Sequence, residues 1–256
     1  MIESKEPLIL AIETATRAGS ISLSCGEKIL SSLSGDPAAS HSTDLLDNIH
    51  ELLQTVNVKL DDVTLFAAAA GPGSFTGLRI GLATIKAFAV CLDRQCVGVP
   101  TLAAIAHAAG PSEGTVALLP AGRGELYAQL FRVDGNYTIE VLDGASHLSP
   151  SAVLAKYVNR SLKWAGEGAH LHEPFLREYA SNQGIRFGED SVGSGVHPSP
   201  DWMLAPISAL LAESVAALAL REYRYGRAIA ASELQAAYVR ASDAEIKEKW
   251  SKREHR

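Results

Sequence analysis

The fold is decided at residues 71–81, which read GPGSFTGLRIG. Glycine adopts backbone angles that a side chain forbids, and Ser74 or Thr76 can cap the free amide groups of a first helical turn. The segment therefore predicts a sharp corner between a strand at 63–70 and a helix at 75–92. Such corners often bind phosphate, because the amide groups at the start of a helix point toward the ligand.

Two known phosphate-binding motifs can be tested against this corner, and neither fits. A P-loop ends in Gly-Lys-Ser or Gly-Lys-Thr, and the corner has no lysine that could reach a terminal phosphate. In a dinucleotide fingerprint Gly71 and Gly73 fit the first two positions, but the third falls on Thr76 and the next glycine comes one residue late. The spacing therefore does not favour a Rossmann-type site.

The helix at 75–92 is apolar over more of its circumference than a one-sided surface helix needs. Its only charged residues are Arg79 and Lys86. Gly77 and Gly81 would let a second helix approach closely. The helix is therefore expected either to carry a docking surface or to be buried wholly inside its own domain.

A second helix is predicted just upstream, over residues 42–54. Apolar residues recur there at positions 45, 46, 49, 52 and 53, which is helical spacing. Ser42 or Thr43 can cap its first turn. This amphipathic helix is expected to lie beside the helix at 75–92.

Composition limits the class of protein. The chain has 256 residues, of which 47% are hydrophobic and 20% charged, enough for one large or two modest domains with ample core. The net charge of −6 argues against strong unaided binding to nucleic acid, which depends on a basic surface.

Cysteine usage and the first residues favour a cytoplasmic protein. Cys25, Cys91 and Cys96 are odd in number and lack Cys-x-x-Cys spacing, so neither a zinc site nor a disulfide framework is indicated. The amino-terminal residues lack the long apolar core of a signal peptide. No apolar run is expected to be long enough to span a bilayer.

The order of predicted elements divides the chain into two halves. Residues 1–110 give three strands, a helix, a strand, a helix, a strand and a helix. Residues 111–232 begin again in strands and end with a helix at 206–223, which can pack back on the first half. An exposed loop is expected at 181–200 and a solvated tail at 233–256. A meander that feeds alternating helices and strands predicts an α/β fold with mixed sheets.

Six short segments resemble the TsaB (YeaZ) family in sequence and in order. They read ILAIETAT at 9–16, HS at 41–42 with LL at 45–46, GPGSFTGLRIG at 71–81, GELY at 124–127, GEGA at 166–169 and YVR at 238–240. The resemblance covers nearly the whole chain. It implies the duplicated actin-like ATPase fold, also called the ASKHA or ribonuclease H-like fold, with two subdomains of mixed sheets flanked by helices.

The resemblance also implies a function in tRNA modification. The family is the small dimerisation subunit of the bacterial tRNA threonylcarbamoyladenosine machinery. Such a subunit has no catalytic residues of its own and binds the catalytic subunit TsaD, which transfers threonylcarbamoyl to the adenosine beside the anticodon. The ATPase TsaE would join the pair, and tRNA would be reached only through the complex. No cofactor is required by this chain, and ATP or ADP is expected, if anywhere, at the partner interface.

The predicted partner surface lies on the two helices at 42–54 and 75–92. The residues assigned to it are His41, Ser42, Leu45, Leu46, Ile49, Leu53, Gly73, Phe75, Gly77, Leu78, Gly81, Leu82 and Ile85. The isolated chain is expected to form a homodimer through the same face, so that homodimer and heterodimer would compete.

An enzyme is the alternative, namely a nucleotide-dependent phosphotransferase or ATPase of the same fold. Relatives with this fold hold a metal nucleotide with acidic residues at the first hairpin and between the halves. Here that role falls to Glu13, with Thr14 and Thr16 near phosphate. Glu13 and Ala121 both stand where relatives commonly have aspartate, so the nucleotide site is expected to be vestigial.

No metal site is predicted, and a metallopeptidase is the least favoured function. The metal-binding histidine pair of the catalytic relative has no counterpart at helical spacing. His170 and His172 come closest to a ligand pattern, but short histidine pairs usually lie on the surface or in packing. The chain has neither a His-Glu-x-x-His helix nor a Gly-x-Ser-x-Gly elbow.

Overall fold

The computed structural model of the chain describes residues 6–36, 41–158, 161–189, 201–237 and 239. For residues 41–43 the description covers the helical backbone alone. The segment at 190–200, most of the predicted tail and the YVR segment apart from Val239 lie outside the described residues.

The elements of the first half follow the predicted order, and the second half contains helices and strands that were not predicted. The strands are β1 (Leu8–Glu13), β2 (Ser20–Cys25), β3 (Lys28–Ser34), β4 (Leu65–Gly71), β5 (Gln95–Pro100), β6 (Ser112–Gly122), β7 (Glu125–Val133), β8 (Ile139–Val141), β9 (Ser146–Leu148), β10 (Leu162–Ala165), β11 (Phe187–Glu189) and β12 (Trp202–Leu204). The helices are α1 (His41–Thr55), α2 (Phe75–Leu92), α3 (Thr101–Ala108), α4 (Pro150–Tyr157), α5 (Glu167–Leu171), α6 (Glu173–Asn182) and α7 (Leu211–Arg224), and a short 3-10 helix spans Leu60–Asp62.

The two sheets repeat one topology. The first has the order β3-β2-β1-β4-β5, with β1 to β3 antiparallel and with β4 and β5 parallel to β1. The second runs β8-β7-β6-β10-β12, with β6 to β8 antiparallel, β10 and β12 parallel to β6, and β11 added beyond β12. The predicted duplicated α/β fold is confirmed by this repeat.

Helices cover both sheets and also separate them. Successive side chains of a strand point to opposite faces, and β1 follows this rule. Ile9 joins the core between the two sheets, where α3 and α7 lie. Leu10 joins the outer core under α1 and α2. The outer face of the second sheet is covered by α4, α5 and α6.

The end of the described chain returns to the first half. The backbone amide of Ala212 in α7 donates to Ser20 Oγ at 2.9 Å, so α7 is tied to the first sheet. Ile229 then pairs with Cys96 of β5, and the amide of Ala237 donates to the carbonyl of Ala70 at 2.7 Å. The range 111–232 is therefore not one packing unit, because its last helix lies in the layer that both halves share.

The glycine corner forms as predicted and begins α2. Ser74 caps the helix, since its Oγ accepts a hydrogen bond from the amide of Gly77 at 3.2 Å. The helix ends at Asp93, whose φ of 52° places it in the left-handed region. Gly71 has a φ of +112°, and a Cβ there would lie 2.6 Å from the carbonyl oxygen of Ala237, so the corner requires glycine at this position.

Among the described helices, α2 has the length and apolar composition that could cross a membrane. The prediction that no apolar run is long enough was therefore wrong on that criterion. One such helix is weak evidence of a membrane span, because core helices have the same composition. Residues along one side of α2 are buried in the chain's own core, Leu78 in the core between the two sheets and Ile85 in the outer core of the first half.

Candidate functional site

The face of α2 that turns toward the first sheet is closed to partners. Six of its residues are buried, namely Gly77, Leu78, Gly81, Leu82, Ile85 and Ala89. On α1, the buried residues include Leu45, Ile49 and Leu53. Most of these side chains belong to the predicted partner surface, and the structure corrects that assignment. The chain's own core encloses them.

The glycines of α2 allow contact with β1 and not with a second helix. A Cβ on Gly77 would lie 1.9 Å from the carbonyl oxygen of Thr14, and one on Gly81 would lie 2.3 Å from Thr14 Oγ1. Thr14 Oγ1 donates to the carbonyl of Gly77 at 2.8 Å. The interpretation of these glycines as helix-docking positions was therefore wrong. They let the end of β1 lie against the first turns of α2.

The opposite face of α2 is exposed and mostly uncharged. It consists of Thr76, Arg79, Ala83, Ala87 and Val90, which we call the outer stripe. Steps of three and four residues place these five on one side of the helix. Val90 is 69% exposed, and the two alanines leave room for another backbone to approach closely. Arg79 is the only charged residue of the stripe.

Other members of the predicted partner surface are exposed, half-buried or outside the description. Leu46 on α1 is 61% exposed, and Phe75 is exposed at the start of α2 under the guanidinium of Arg79, which lies 3.8 Å from its ring centroid. Gly73 is half-buried, and a Cβ there would lie 2.6 Å from the Cβ of Ala15. The side chains of His41 and Ser42 are not among those described.

Ala83, Ala87 and Val90 were not predicted to be exposed. Their spacing was visible as one face of the helical period, but the period alone does not say which face meets the sheet. The burial of Leu78 and Ile85 decides it.

A cleft of about 280 Å³ separates the first hairpin from the second half. Its walls are largely apolar, and its polar groups come from both halves. The residues that line the cleft include Glu13, Thr16, Arg17, Gly166, Glu167 and Ile207. The backbone amide of Arg17 donates to Glu167 Oε1 at 3.2 Å, so the hairpin and the second half touch across the cleft.

The predicted nucleotide residues are engaged in the chain's own hydrogen bonds. Glu13 Oε1 accepts from the amides of Ala15 at 2.6 Å and Thr16 at 2.7 Å, and its Oε2 accepts from Thr16 Oγ1 at 2.6 Å. Burial raises the pKa of Glu13, and the hydrogen bonds from Thr16 and Ala15 oppose that shift. Thr14 is buried and donates to α2, so it does not face the cleft as a phosphate ligand would.

The described residues contain no group of three or more His, Cys, Asp and Glu side chains that could hold a metal ion. His170 Nε2 lies 2.8 Å from the carbonyl oxygen of Ala205, where it stabilises the approach of α5 to the loop after β12. Ala121 lies near the end of β6, beside the turn of Gly122, Arg123 and Gly124. Neither position provides a carboxylate that could bind a metal nucleotide.

Comparison with protein families and curated proteins agrees with this geometry. A family model described as "TsaD: tRNA N6-adenosine threonylcarbamoyltransferase" matches residues 36–239. The chain is 30% identical to the tRNA threonylcarbamoyladenosine biosynthesis protein TsaB of Escherichia coli over 163 residues, which are 62% of this chain and 70% of that protein. It is 25% identical to TsaB of Bacillus subtilis over 179 residues, which are 69% of this chain and 78% of that protein.

A solved structure shares the fold. YeaZ from Pseudomonas aeruginosa superposes with a TM-score of 0.70 at 23% sequence identity, covering 91% of this chain and 99% of that one. The sheet order, the glycine corner and the two TsaB relatives lead to the same assignment. The chain belongs to the family that this TsaD model describes and, within it, to the TsaB (YeaZ) family.

Proposed function

We propose that this chain is the non-catalytic subunit of a tRNA threonylcarbamoyladenosine modification complex and that it binds and activates a TsaD-type transferase. The observation that carries the proposal is membership of a family whose curated relatives are named as tRNA threonylcarbamoyladenosine biosynthesis proteins. The net charge of −6 fits a subunit that reaches tRNA through its partners, because direct binding needs a basic surface. A cytoplasmic location is part of the proposal.

The outer stripe of α2, together with the exposed Leu46 of α1, is the surface proposed for TsaD. Exposed apolar residues on a helix face are typical of interaction sites. Small residues at Ala83 and Ala87 suit a helix that packs closely, and Arg79 provides one directed polar contact. A second copy of the chain would use the same face in isolation, and TsaE would join the complex once TsaD is bound. ATP or ADP, if present, would lie at the interface with TsaD.

The phosphotransferase alternative has less support. An actin-like kinase needs free donors in its first hairpin to bind phosphate. Here Thr14 donates to Gly77, and the donors of Ala15 and Thr16 are taken by Glu13. Glu13 and Glu167 face the cleft from its two sides, but both carboxyl oxygens of Glu13 accept hydrogen bonds from its own turn, and the described residues hold no group of three or more His, Cys, Asp and Glu side chains that could bind a metal ion.

Two charges in the outer stripe test the proposal. The double variant Ala83→Glu/Ala87→Glu keeps good helix formers at exposed positions, so the fold should survive. Desolvating unpaired carboxylates at an apolar interface should weaken co-purification with the TsaD-type transferase at least about tenfold. The matched control is Val141→Asp, at a residue 59% exposed on β8 of the second half, which should leave binding unchanged.

A folded Ala83→Glu/Ala87→Glu protein that binds the transferase as tightly as the wild type would contradict the proposed surface. Folding is checked by circular dichroism and thermal unfolding. Leu46→Asp provides a second, independent probe of the proposed surface, on α1. A chain that binds no TsaD-type transferase at all would contradict the proposed function itself.

A further inference from the structure

The first hairpin turn holds a carboxyl group at its centre. Glu13 is 1% exposed, and both of its carboxyl oxygens are used within the turn that follows it. The amides of Ala15 and Thr16 converge on one oxygen at 2.6 and 2.7 Å, and the hydroxyl of Thr16 donates to the other at 2.6 Å. Three donors from two successive residues thus point at one carboxyl group.

Donors arranged in this way form an anion-binding concavity. Successive backbone N–H groups that point to one spot bind phosphate and carboxylate oxygens alike. A carboxylate and a phosphate present the same kind of acceptor oxygen, so Glu13 occupies the place of a bound anion. The same turn borders the 280 Å³ cleft, which Glu13, Thr16 and Arg17 line. An anion from solvent would therefore have a path to the turn if the carboxyl group were absent.

We propose that Glu13 is an internal anion that closes this hairpin to phosphate, so that the wild-type chain binds no phosphate or pyrophosphate there. The inference goes beyond the proposed function, because it concerns a ligand site and not the partner surface. If the proposal about Glu13 fails, the proposed TsaD surface is not affected. If TsaD binding is not found, the proposal about Glu13 is not affected.

A second carboxylate also disfavours anion binding at this turn. Glu167 lies across the cleft and accepts the amide of Arg17 at 3.2 Å. Its negative charge raises the pKa of Glu13, together with the larger effect of burial. The same charge would repel an incoming phosphate. The exposed side chain of Arg17 is the cationic group of the cleft rim that would attract one.

The test is calorimetric titration of three proteins with inorganic pyrophosphate. Glu13→Ala removes the carboxyl group and should bind pyrophosphate at least about tenfold more tightly than the wild type, because three charge-assisted hydrogen bonds become available. Glu13→Gln keeps an oxygen in the turn and should stay as weak as the wild type. Glu13→Ala/Glu167→Gln should bind more tightly than Glu13→Ala, since it lacks the second charge.

The proposal is overturned if folded Glu13→Ala gains no pyrophosphate affinity or if the wild type binds as tightly as that variant. Should Glu13→Ala fail to fold, the wild type still decides. The amide resonances of Ala15 and Thr16 are followed by NMR while pyrophosphate is added at millimolar concentrations. Unchanged resonances support a closed turn, and a saturable shift at both amides overturns it.

Discussion

The two halves place different helices at the same position of a repeated fold. In the first half, α2 follows β4 as one uninterrupted helix of 18 residues. In the second half, the chain after β10 forms α5, breaks at His172 and continues as α6, with Pro174 in the first turn of α6. Proline lacks the amide that a continuous helix would need there.

The inner faces of the two helices are alike and the outer faces are not. Leu78 of α2 and Leu176 of α6 are both buried. On α6 the exposed side has an ion pair between Glu173 and Arg177 at 2.6 Å, and the Arg177 guanidinium lies 4.6 Å from the ring centroid of Phe187. The outer stripe of α2 offers alanines and valine instead. Duplication thus preserved the packing faces, while the water-facing side diverged.

The largest difference in unfolding free energy is expected between a substitution at a buried position of the first half and one at an exposed position. Leu78→Asp places a carboxylate in the core between the two sheets, where Leu78 is 1% exposed, and should cost about 4 kcal/mol or more of unfolding free energy. Leu46→Asp changes an exposed residue and should cost less than about 0.5 kcal/mol. Urea unfolding of both variants measures the difference. A stable, soluble Leu78→Asp protein would contradict the burial of this face of α2.

Acid should lower the free energy of unfolding through the contact between α3 and α7, which lie between the two sheets. His107 of α3 has Nδ1 3.0 Å from Ser214 Oγ of α7. Burial and the charge of Arg221 lower its pKa from 6.5 to about 4. The unfolded chain therefore gains a proton before the folded one as the pH falls from 6.5 toward 4, and the folded state loses up to about 3 kcal/mol of stability.

Unfolding free energy measured against pH checks this, with His107→Gln as the comparison. The variant keeps a hydrogen-bonding side chain but cannot titrate, so its stability should fall less steeply between pH 6.5 and 4. Equal slopes for the two proteins would remove His107 as the cause.

The glycines of α2 should behave as packing residues. Gly77→Ala would bring a Cβ to 1.9 Å from the Thr14 carbonyl oxygen, so β1 or α2 must shift at a cost of about 2 kcal/mol. Gly144→Ala is the control, because a Cβ there meets nothing within 4 Å, and it should change stability by less than about 0.5 kcal/mol. Thermal unfolding separates the two. Equal stabilities would restore the interpretation of Gly77 as a docking position.

The smallest effect is expected on the outer face of α6. Arg177→Ala removes the partly exposed ion pair with Glu173 and should cost less than about 1 kcal/mol, with TsaD binding unchanged. Arg79→Ala on the outer stripe should cost equally little stability but weaken TsaD binding. If Arg177→Ala weakens TsaD binding and Arg79→Ala does not, the partner surface lies on α6 and not on α2.

The first half was the more predictable from sequence. The glycine corner and α2 lie at their predicted positions, because the turn residues, the cap and the helical period all agree there. In the second half α6 was missed, and α5 and α6 are short helices that are separated at His172. Short, interrupted elements give weak periodicity, and tertiary packing then decides them.

The site was less predictable than the fold. Thr14 and Gly77 are 63 residues apart in sequence, and their contact depends on β1 and β4 being neighbours in the sheet. The same pairing decides which face of α2 is buried. Glu13 was predicted as a residue of the nucleotide site. That its carboxyl group fills its own turn follows from three hydrogen-bond distances, which no residue pattern contains.

The most direct test of the central claim is photo-crosslinking from the two outer faces. A photoreactive amino acid replaces Ala83 on α2 in one protein and Glu178, an exposed residue of α6, in another. With the TsaD-type transferase present, we expect a covalent adduct from position 83 and none from position 178. An adduct from position 178 with none from position 83 would contradict the assignment of partner binding to α2.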